Sequence, residues 1–199
     1  MSFDRARSYG IYRDTLRAAV LILKYQHRPR WGTKLGALLA PVCKNLLASC
    51  DGSSVLIVPV PLHAGRRRER GYNQAGLLSL GMVRAAAGAI PGAVMKLDDG
   101  VLIKIRATPP QAGLSPAARR ENVRGAFAVA RPERIRDRAV VLVDDVMTTG
   151  ATLSACASAL KSAGAKEVLA VTLARATPQF PDTQALHERV HIDDFASRR

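Results

Sequence analysis

VVLVDDVMTTGAT, residues 140–152, runs from four aliphatic residues into two adjacent carboxylates and then a threonine-glycine turn. An unbroken aliphatic run of this kind marks a strand buried on both faces, as in a parallel sheet. Like charges at neighbouring positions repel, and neither gains from an apolar setting, so Asp144 and Asp145 answer to something outside the fold. With a helix starting at Ala151, the preceding loop turns backbone N–H groups and a helix N-terminus toward one point, an anion site suited to a phosphate monoester. Gly150 lets the backbone approach the ligand closely, and Thr148, Thr149 and Thr152 donate hydroxyls to its oxygens. Beside that phosphate, two ionised carboxylates only accept hydrogen bonds, and a vicinal diol fills them. Phosphate and diol side by side describe a ribose 5-phosphate. A strand end with an Asx-type turn needs only one Asp and one Thr, less than this stretch provides.

Working outward, residues 12–26 place Leu16, Val20 and Leu23 on one helical face. A basic connection, 27–32, leads to a second helical pattern through Leu35, Leu38, Leu39, Val42 and Leu46. SVLIVPVP, 54–61, reads as a buried strand stopped by prolines; a basic turn follows, and 73–87 is helical again, closed by Gly88 and Pro91. Strands are expected at 101–106, 126–130, 139–145 and 167–174, with a helix at 151–163 stopped by Gly164. The arginine-bearing connection 106–124 is the candidate flap, and Ser115-Pro116 starts a short helix inside it. Strands alternating with helices predict an open α/β sheet whose ligands sit beyond the carboxyl ends of the strands. The 199 residues are expected to form one domain with a core of about 9–175 and a tail at 177–199.

Hydrophobic residues at 48% and charged residues at 23% describe an ordinary globular protein. Lys plus Arg is 30 against 16 for Asp plus Glu, a net charge of +14 that points to anionic partners. The arginines are grouped at 66–70, 119–124 and 131–138. Aromatic residues are only 5%, too few for a stacking platform along single-stranded nucleic acid. Cys43, Cys50 and Cys156 make no CxxC pair and give neither a zinc site nor a disulfide framework; they read as reduced, packed thiols. The longest aliphatic run, 18–23, is too short to span a bilayer, and a soluble, cytoplasmic protein is expected.

The stretch 140–152 resembles the phosphoribosyl-diphosphate (PRPP) signature of type I phosphoribosyltransferases. PVPLHAGRRRERGYNQA, 59–75, and RATPPQAGLSPAARRENVRGAF, 106–127, are similar to the ComF family, competence-associated proteins built on that fold, and Lys24-Tyr25 fits the same family. The resemblance runs from about residue 9 to about residue 175. It implies the type I phosphoribosyltransferase fold, a mostly parallel sheet flanked by helices with a flexible loop over the site. It further implies that residues 144–152, Met147 and Ala151 included, hold the ribose 5-phosphate, and that the turn Pro61-Leu62-His63-Ala64-Gly65 faces the diphosphate. Arg66 and Arg70 would neutralise the diphosphate, and the connection 106–122 would close over the sugar with Gln111, Arg119 and Arg120 as contacts. Asp144, Asp145, Arg66 and Arg119 are the catalytic candidates, with Mg²⁺ held by the two carboxylates directly or through PRPP. Plainer readings stand beside these: His63 as a turn residue, Asn73-Gln74 as a helix cap, 66–70 as a solvated helix start. Members commonly carry an N-terminal cysteine-rich zinc element, and this sequence begins after its place.

The function expected is Mg-dependent transfer of a 5-phosphoribosyl group to an unidentified acceptor with release of diphosphate, linked to DNA uptake or nucleotide salvage. PRPP or a nucleoside monophosphate is the expected ligand; weak, nonspecific nucleic-acid binding follows from the charge, and oligomerisation stays open. Two rivals remain, a PRPP or nucleotide sensor without transfer and a DNA-handling competence protein.

Overall fold

The carboxyl ends of five parallel strands share one edge of the sheet, and two of the loops leaving that edge carry residues singled out above. The structure is a computed structural model and describes residues 1–26, 28–48, 54–87, 94–109 and 113–177. In chain order, β1 (Arg5–Ile11) leads into α1 (Asp14–Tyr25), α2 (Pro29–Ala37) and α3 (Leu39–Leu47). Next, β2 (Ser54–Pro59) is followed by α4 (Ala64–Arg70), α5 (Gln74–Ala86) and β3 (Val94–Leu97). The hairpin strands β4 (Leu102–Lys104) and β5 (Phe127–Val129) are joined by a connection carrying α6 (Pro116–Val123). After these, β6 (Ala139–Met147), α7 (Ala151–Ser162) and β7 (Glu167–Arg175) complete the described chain.

The sheet order is β1-β7-β6-β2-β3. From β2 the chain moves outward to β3, and from β6 it moves the other way to β7. Adjacent β2 and β6 therefore flank the topological switch point, where the loops part and leave a crevice for ligand. The sheet is mostly parallel and flanked by helices, the architecture expected from the sequence, with β4 and β5 forming a separate antiparallel pair.

The aliphatic run of β6 divides its side chains between two cores. Val140 and Leu142 pack with α7 residues Leu153, Cys156 and Leu160 and with Leu102 and Phe127 of the hairpin. Val141 and Val143 pack with α1, α3 and α5 through Val20, Leu23, Leu39, Leu78 and Met82. By the strand period of two, the next pair, Asp144 and Asp145, also divides between the two sides, whereas at the strand's end Val146 packs on the α1 side and Met147 on the α7 side.

The structure departs from the sequence reading in several places. The second helical pattern is two helices, and Pro29 at the first turn makes most of the basic connection helical. Gly36 allows α2 to cross α5 closely: a Cβ there would lie 2.2 Å from the Leu78 carbonyl oxygen. The basic turn after β2 is helix α4. Strand β6 runs on to Met147, and the strand expected at 101–106 shortens to three residues. Neither β1 nor β3 was anticipated. Both lie at sheet edges, where Arg5, Arg7 and Lys96 break the apolar signal. The helix at 151–163 and its stop at Gly164, φ 97°, are as expected, as is the Ser115 cap, whose hydroxyl accepts from the Ala118 N–H at 3.2 Å. Cys43 and Cys156 are free, buried thiols; Cys50, Gly88, Pro91 and the tail beyond Thr177 lie outside the described residues. Among the described residues no helix is long and apolar enough to cross a membrane.

Candidate functional site

Asp144 and Asp145, two residues before the end of β6, lie on opposite sides of the sheet. By the alternation above, Asp144 follows Val140 and Leu142 toward α7 and the hairpin, while Asp145 follows Val141 and Val143 toward α1. Asp144 Oδ1 accepts the Asp145 N–H at 2.8 Å. Asp145 Oδ2 lies 3.3 Å from Lys24 Nζ, with side-chain exposures of 12% and 9%. Desolvation, with the Asp145 carboxylate next to it, pushes the Asp144 carboxyl up to about 7; the Asp145 N–H, Lys24 and Lys104 pull the other way.

The loop expected to take an anion follows. Gly150 takes φ 74°, a left-handed conformation that lets glycine serve as the N-cap of α7 without a capping side chain. Thr149 Oγ1 accepts the Ala151 N–H at 3.4 Å, a weak local turn bond. Thr148 and Thr152 are part-exposed, and Met147 and Ala151 are buried behind them. The first residues of the chain lie against this loop. A Cβ at Gly150 would meet Met1 Sδ and Cε at 3.3 Å, and the Ser2 N–H donates to Ser154 Oγ at 2.9 Å.

Across the switch point, Pro61, Leu62 and His63 leave β2 part-exposed. His63 Nδ1 accepts the Gly65 N–H at 3.3 Å and so caps α4, a turn role that involves only one of its two ring nitrogens. Asn73 caps α5 by accepting the Ala75 N–H at 3.1 Å, and its Nδ2 donates to the Val60 carbonyl at 3.1 Å, tying α5 to the same turn. Gln74 does not cap. It is buried, and its Nε2 has no hydrogen-bond partner among the described residues, a costly state for an amide donor. Arg66 is exposed, whereas Arg70 stacks on the Tyr25 ring with 5.6 Å to the centroid.

The connection after β4 is internally braced. Arg106 Nη2 donates to the carbonyls of Asn122 and Arg124 at 3.1 and 2.7 Å, Asn122 Nδ2 to Pro109 at 3.1 Å, and Arg119 Nε to Leu114 at 3.0 Å. Arg119 thus bonds within its own loop through Nε, and Arg120 lines an open groove of about 500 Å³ between α6 and α7. Gln111 lies outside the described residues.

Two lysines were not singled out as site residues from their positions. Lys104 donates to Thr108 Oγ1 at 2.8 Å and lies over the Phe127 ring. Burial, then the positive fields of Arg66 and Arg106, hold its pKa below the usual lysine value, while Asp144 and Cys156 oppose them. Lys104 therefore sits where the arginine helix, the hairpin and the acid pair meet. The signal was a lysine on the same face of β4 as buried Leu102. Lys24 carries a similar signal: it comes four residues after buried Val20, on the apolar stripe of α1.

For Mg²⁺ the donor set is two carboxylates. Among the described residues no group of three or more His, Cys, Asp or Glu could hold a metal. Two carboxylates do fit Mg²⁺, which takes one or two protein carboxylates and completes its shell with substrate phosphates and water.

A parallel sheet whose switch point is flanked by the Asp144-Asp145 pair of β6 and by the glycine-threonine loop before α7 has the architecture of a phosphoribosyltransferase-type protein. Residues 98–192 match the phosphoribosyl transferase domain family. More narrowly, the chain belongs to the ComF family, that of competence protein F and DNA utilization protein YhgH. It is 34% identical to YhgH of Salmonella typhi over 176 residues, which cover 87% of this chain and 73% of that protein. With competence protein F of Haemophilus influenzae it shares 40% identity over 121 residues, 60% of this chain and half the length of the Haemophilus protein. Among solved structures, hypoxanthine phosphoribosyltransferase from Staphylococcus aureus aligns with a TM-score of 0.44 at 14% identity, covering 75% of this chain and 65% of that one.

Proposed function

We propose that this chain binds PRPP with Mg²⁺ and transfers the 5-phosphoribosyl group to an acceptor, releasing diphosphate. The observation that carries the reading is the acid pair near the end of β6, set beside the glycine-threonine loop before α7 at the switch point of the sheet. The 5-phosphate takes the Thr148–Thr152 loop and the α7 N-terminus, and the sugar hydroxyls take Asp144 and Asp145. The diphosphate lies toward the turn 61–65, Arg66 and Lys104.

As the C1–O bond breaks, the diphosphate leaves with the electron pair and positive charge builds on the ring. Arg66 and Lys104 stabilise the leaving anion, and Asp144 and Asp145 face the developing cation; such preorganised charges supply the largest catalytic term in most enzymes. Mg²⁺, when bound, neutralises the diphosphate as a Lewis acid. The acceptor's electron pair forms the new bond at C1 from the face opposite the departing diphosphate. The 106–124 connection, bearing Arg119, closes over the sugar and excludes water, which would otherwise take the acceptor's place. Calorimetry with PRPP and Mg²⁺, followed by diphosphate release across a panel of nucleobases and amines, tests the reading. Absence of PRPP binding overturns it, and binding without release for any acceptor assigns a sensing role.

A DNA-handling role is the second reading. The net charge of +14, the exposed run Arg66–Arg68 and the names of the relatives favour it.

A further inference from the structure

One turn of α1 touches three parts of the proposed site through three consecutive residues. The Leu23 carbonyl accepts the Tyr72 hydroxyl at 2.7 Å, which fastens the link between α4 and α5. Lys24 Nζ meets Asp145 Oδ2 at 3.3 Å with both side chains nearly enclosed. The Tyr25 ring carries the Arg70 guanidinium at the end of α4. All three residues precede the part of the chain that matches the phosphoribosyl transferase domain family.

An enclosed lysine is costly to desolvate, and that cost is recovered only where a carboxylate faces it closely. Packing alone would place an aliphatic residue after Val20 and Leu23 on this stripe. Lysine there sets a fixed positive charge behind a carboxylate pair that must receive an anionic sugar phosphate. It offsets the repulsion between acid pair and ligand, and it fixes the direction of the Asp145 carboxylate. Tyr25, through Arg70, keeps the arginine-bearing helix at a set distance from that carboxylate.

We propose that the last turn of α1, Leu23-Lys24-Tyr25, is a positioning element for the phosphoribosyl site, in which Lys24 is the built-in counter-charge of Asp145 and Tyr25 holds α4 in place. The proposal rests on the PRPP reading above. It separates from a purely structural ion pair through Mg²⁺, because a cation bound beside the carboxylates supplies the same counter-charge.

The test is PRPP calorimetry on the parent chain, Lys24→Met, Lys24→Arg and Tyr25→Leu, at low and at saturating Mg²⁺, with thermal unfolding of each. Lys24→Met is expected to bind PRPP about tenfold or more weakly at low Mg²⁺. The deficit shrinks at saturating Mg²⁺, and Lys24→Arg recovers most of it. Tyr25 is largely exposed, so Tyr25→Leu keeps the parent's melting temperature and binds PRPP about threefold more weakly. Parent-like affinity in Lys24→Met overturns the proposal, as does a loss independent of Mg²⁺ that tracks a lowered melting temperature. If Lys24→Met does not fold, Tyr25→Leu decides, and unchanged affinity in that variant overturns the proposal. A parent chain that does not bind PRPP at all removes the phosphoribosyl reading itself, which is a different result.

Discussion

Asp144 and Asp145 are neighbours in the chain but point to opposite faces of the sheet, joined only where Asp144 Oδ1 accepts the Asp145 N–H at 2.8 Å. The repulsion that makes DD costly at a strand end is therefore partly relieved by the pleat. Each carboxylate meets a different lysine environment, Lys24 behind Asp145 and Lys104 in the field of Asp144. What repulsion remains, together with desolvation, appears in the raised pKa of Asp144.

That shift predicts how stability depends on pH in the ligand-free protein. A carboxyl with an ordinary value of 3.8 titrates at about 7 in the fold. Below 3.8 both folded and unfolded states are protonated, and the group contributes nothing. Between the two values the unfolded chain has lost the proton and the folded chain keeps it, so stability falls as pH rises and levels off above about 7. Asp144→Asn is expected to flatten this slope and to be more stable than the parent above neutrality, read as melting temperature against pH. Parallel curves for parent and variant would contradict the assignment.

Much of this site was legible because its signals are local. Four aliphatics before the acid pair, a glycine before Ala151, and Ser115-Pro116 each act within a few residues and needed no tertiary information. The opposite orientation of the two carboxylates follows from the strand period, once β6 is known to extend to Met147. What could not be read depends on partners distant in sequence. Strand β1 exists because β7 offers it a parallel edge, with Arg5 opposite Leu169 and Ile11 opposite Arg175. The stacking of Arg70, a diphosphate candidate, on the ring of Tyr25 joins residues 45 positions apart. Arg119 is held by the Leu114 carbonyl within its own loop, a bond that a list of arginines does not contain.

Replacing Asp144 and Asp145 together by Asn preserves size and removes the charged acceptors for the sugar hydroxyls and Mg²⁺. Charge-assisted bonds of this kind contribute roughly 1.5–3 kcal/mol each, so PRPP affinity is expected to fall at least about tenfold. The fold is expected to survive, because Asn keeps the size of Asp and its side-chain carbonyl at position 144 can still accept the residue-145 N–H. Calorimetry beside circular dichroism checks both halves, and parent-like affinity would refute the diol assignment.

Gly150→Ala tests the anion loop separately from the carboxylates. A φ of 74° strains any L residue by about 1–2 kcal/mol, and the new methyl would press on Met1 at 3.3 Å. A modest drop in melting temperature is expected, with a larger proportional loss of PRPP affinity because the loop closes against the ligand phosphate. Inorganic phosphate, which needs only the loop, should lose affinity in Gly150→Ala but not in the Asp144/Asp145 double variant. Equal losses in both would mean that loop and acid pair do not form distinct subsites.

The last prediction separates the enzyme reading from the DNA reading through salt and competition. Arg66, Arg67 and Arg68 are exposed on α4, next to the turn that leaves β2, and a duplex or single strand could lie along them. If about six phosphates are neutralised there, affinity for DNA falls roughly a thousandfold between low and physiological salt as counterions are released. Arginines that enclose one diphosphate give a much shallower slope, and PRPP with Mg²⁺ then displaces DNA from them. We expect weak, sequence-independent DNA binding that PRPP partly displaces, with Arg66→Ala losing PRPP affinity and Arg67→Ala or Arg68→Ala losing mainly DNA. Fluorescence anisotropy of a labelled oligonucleotide, titrated with salt and then with PRPP, reads both effects in one experiment. A tight complex at physiological salt that saturating PRPP leaves intact would place these arginines, and the chain, in DNA handling.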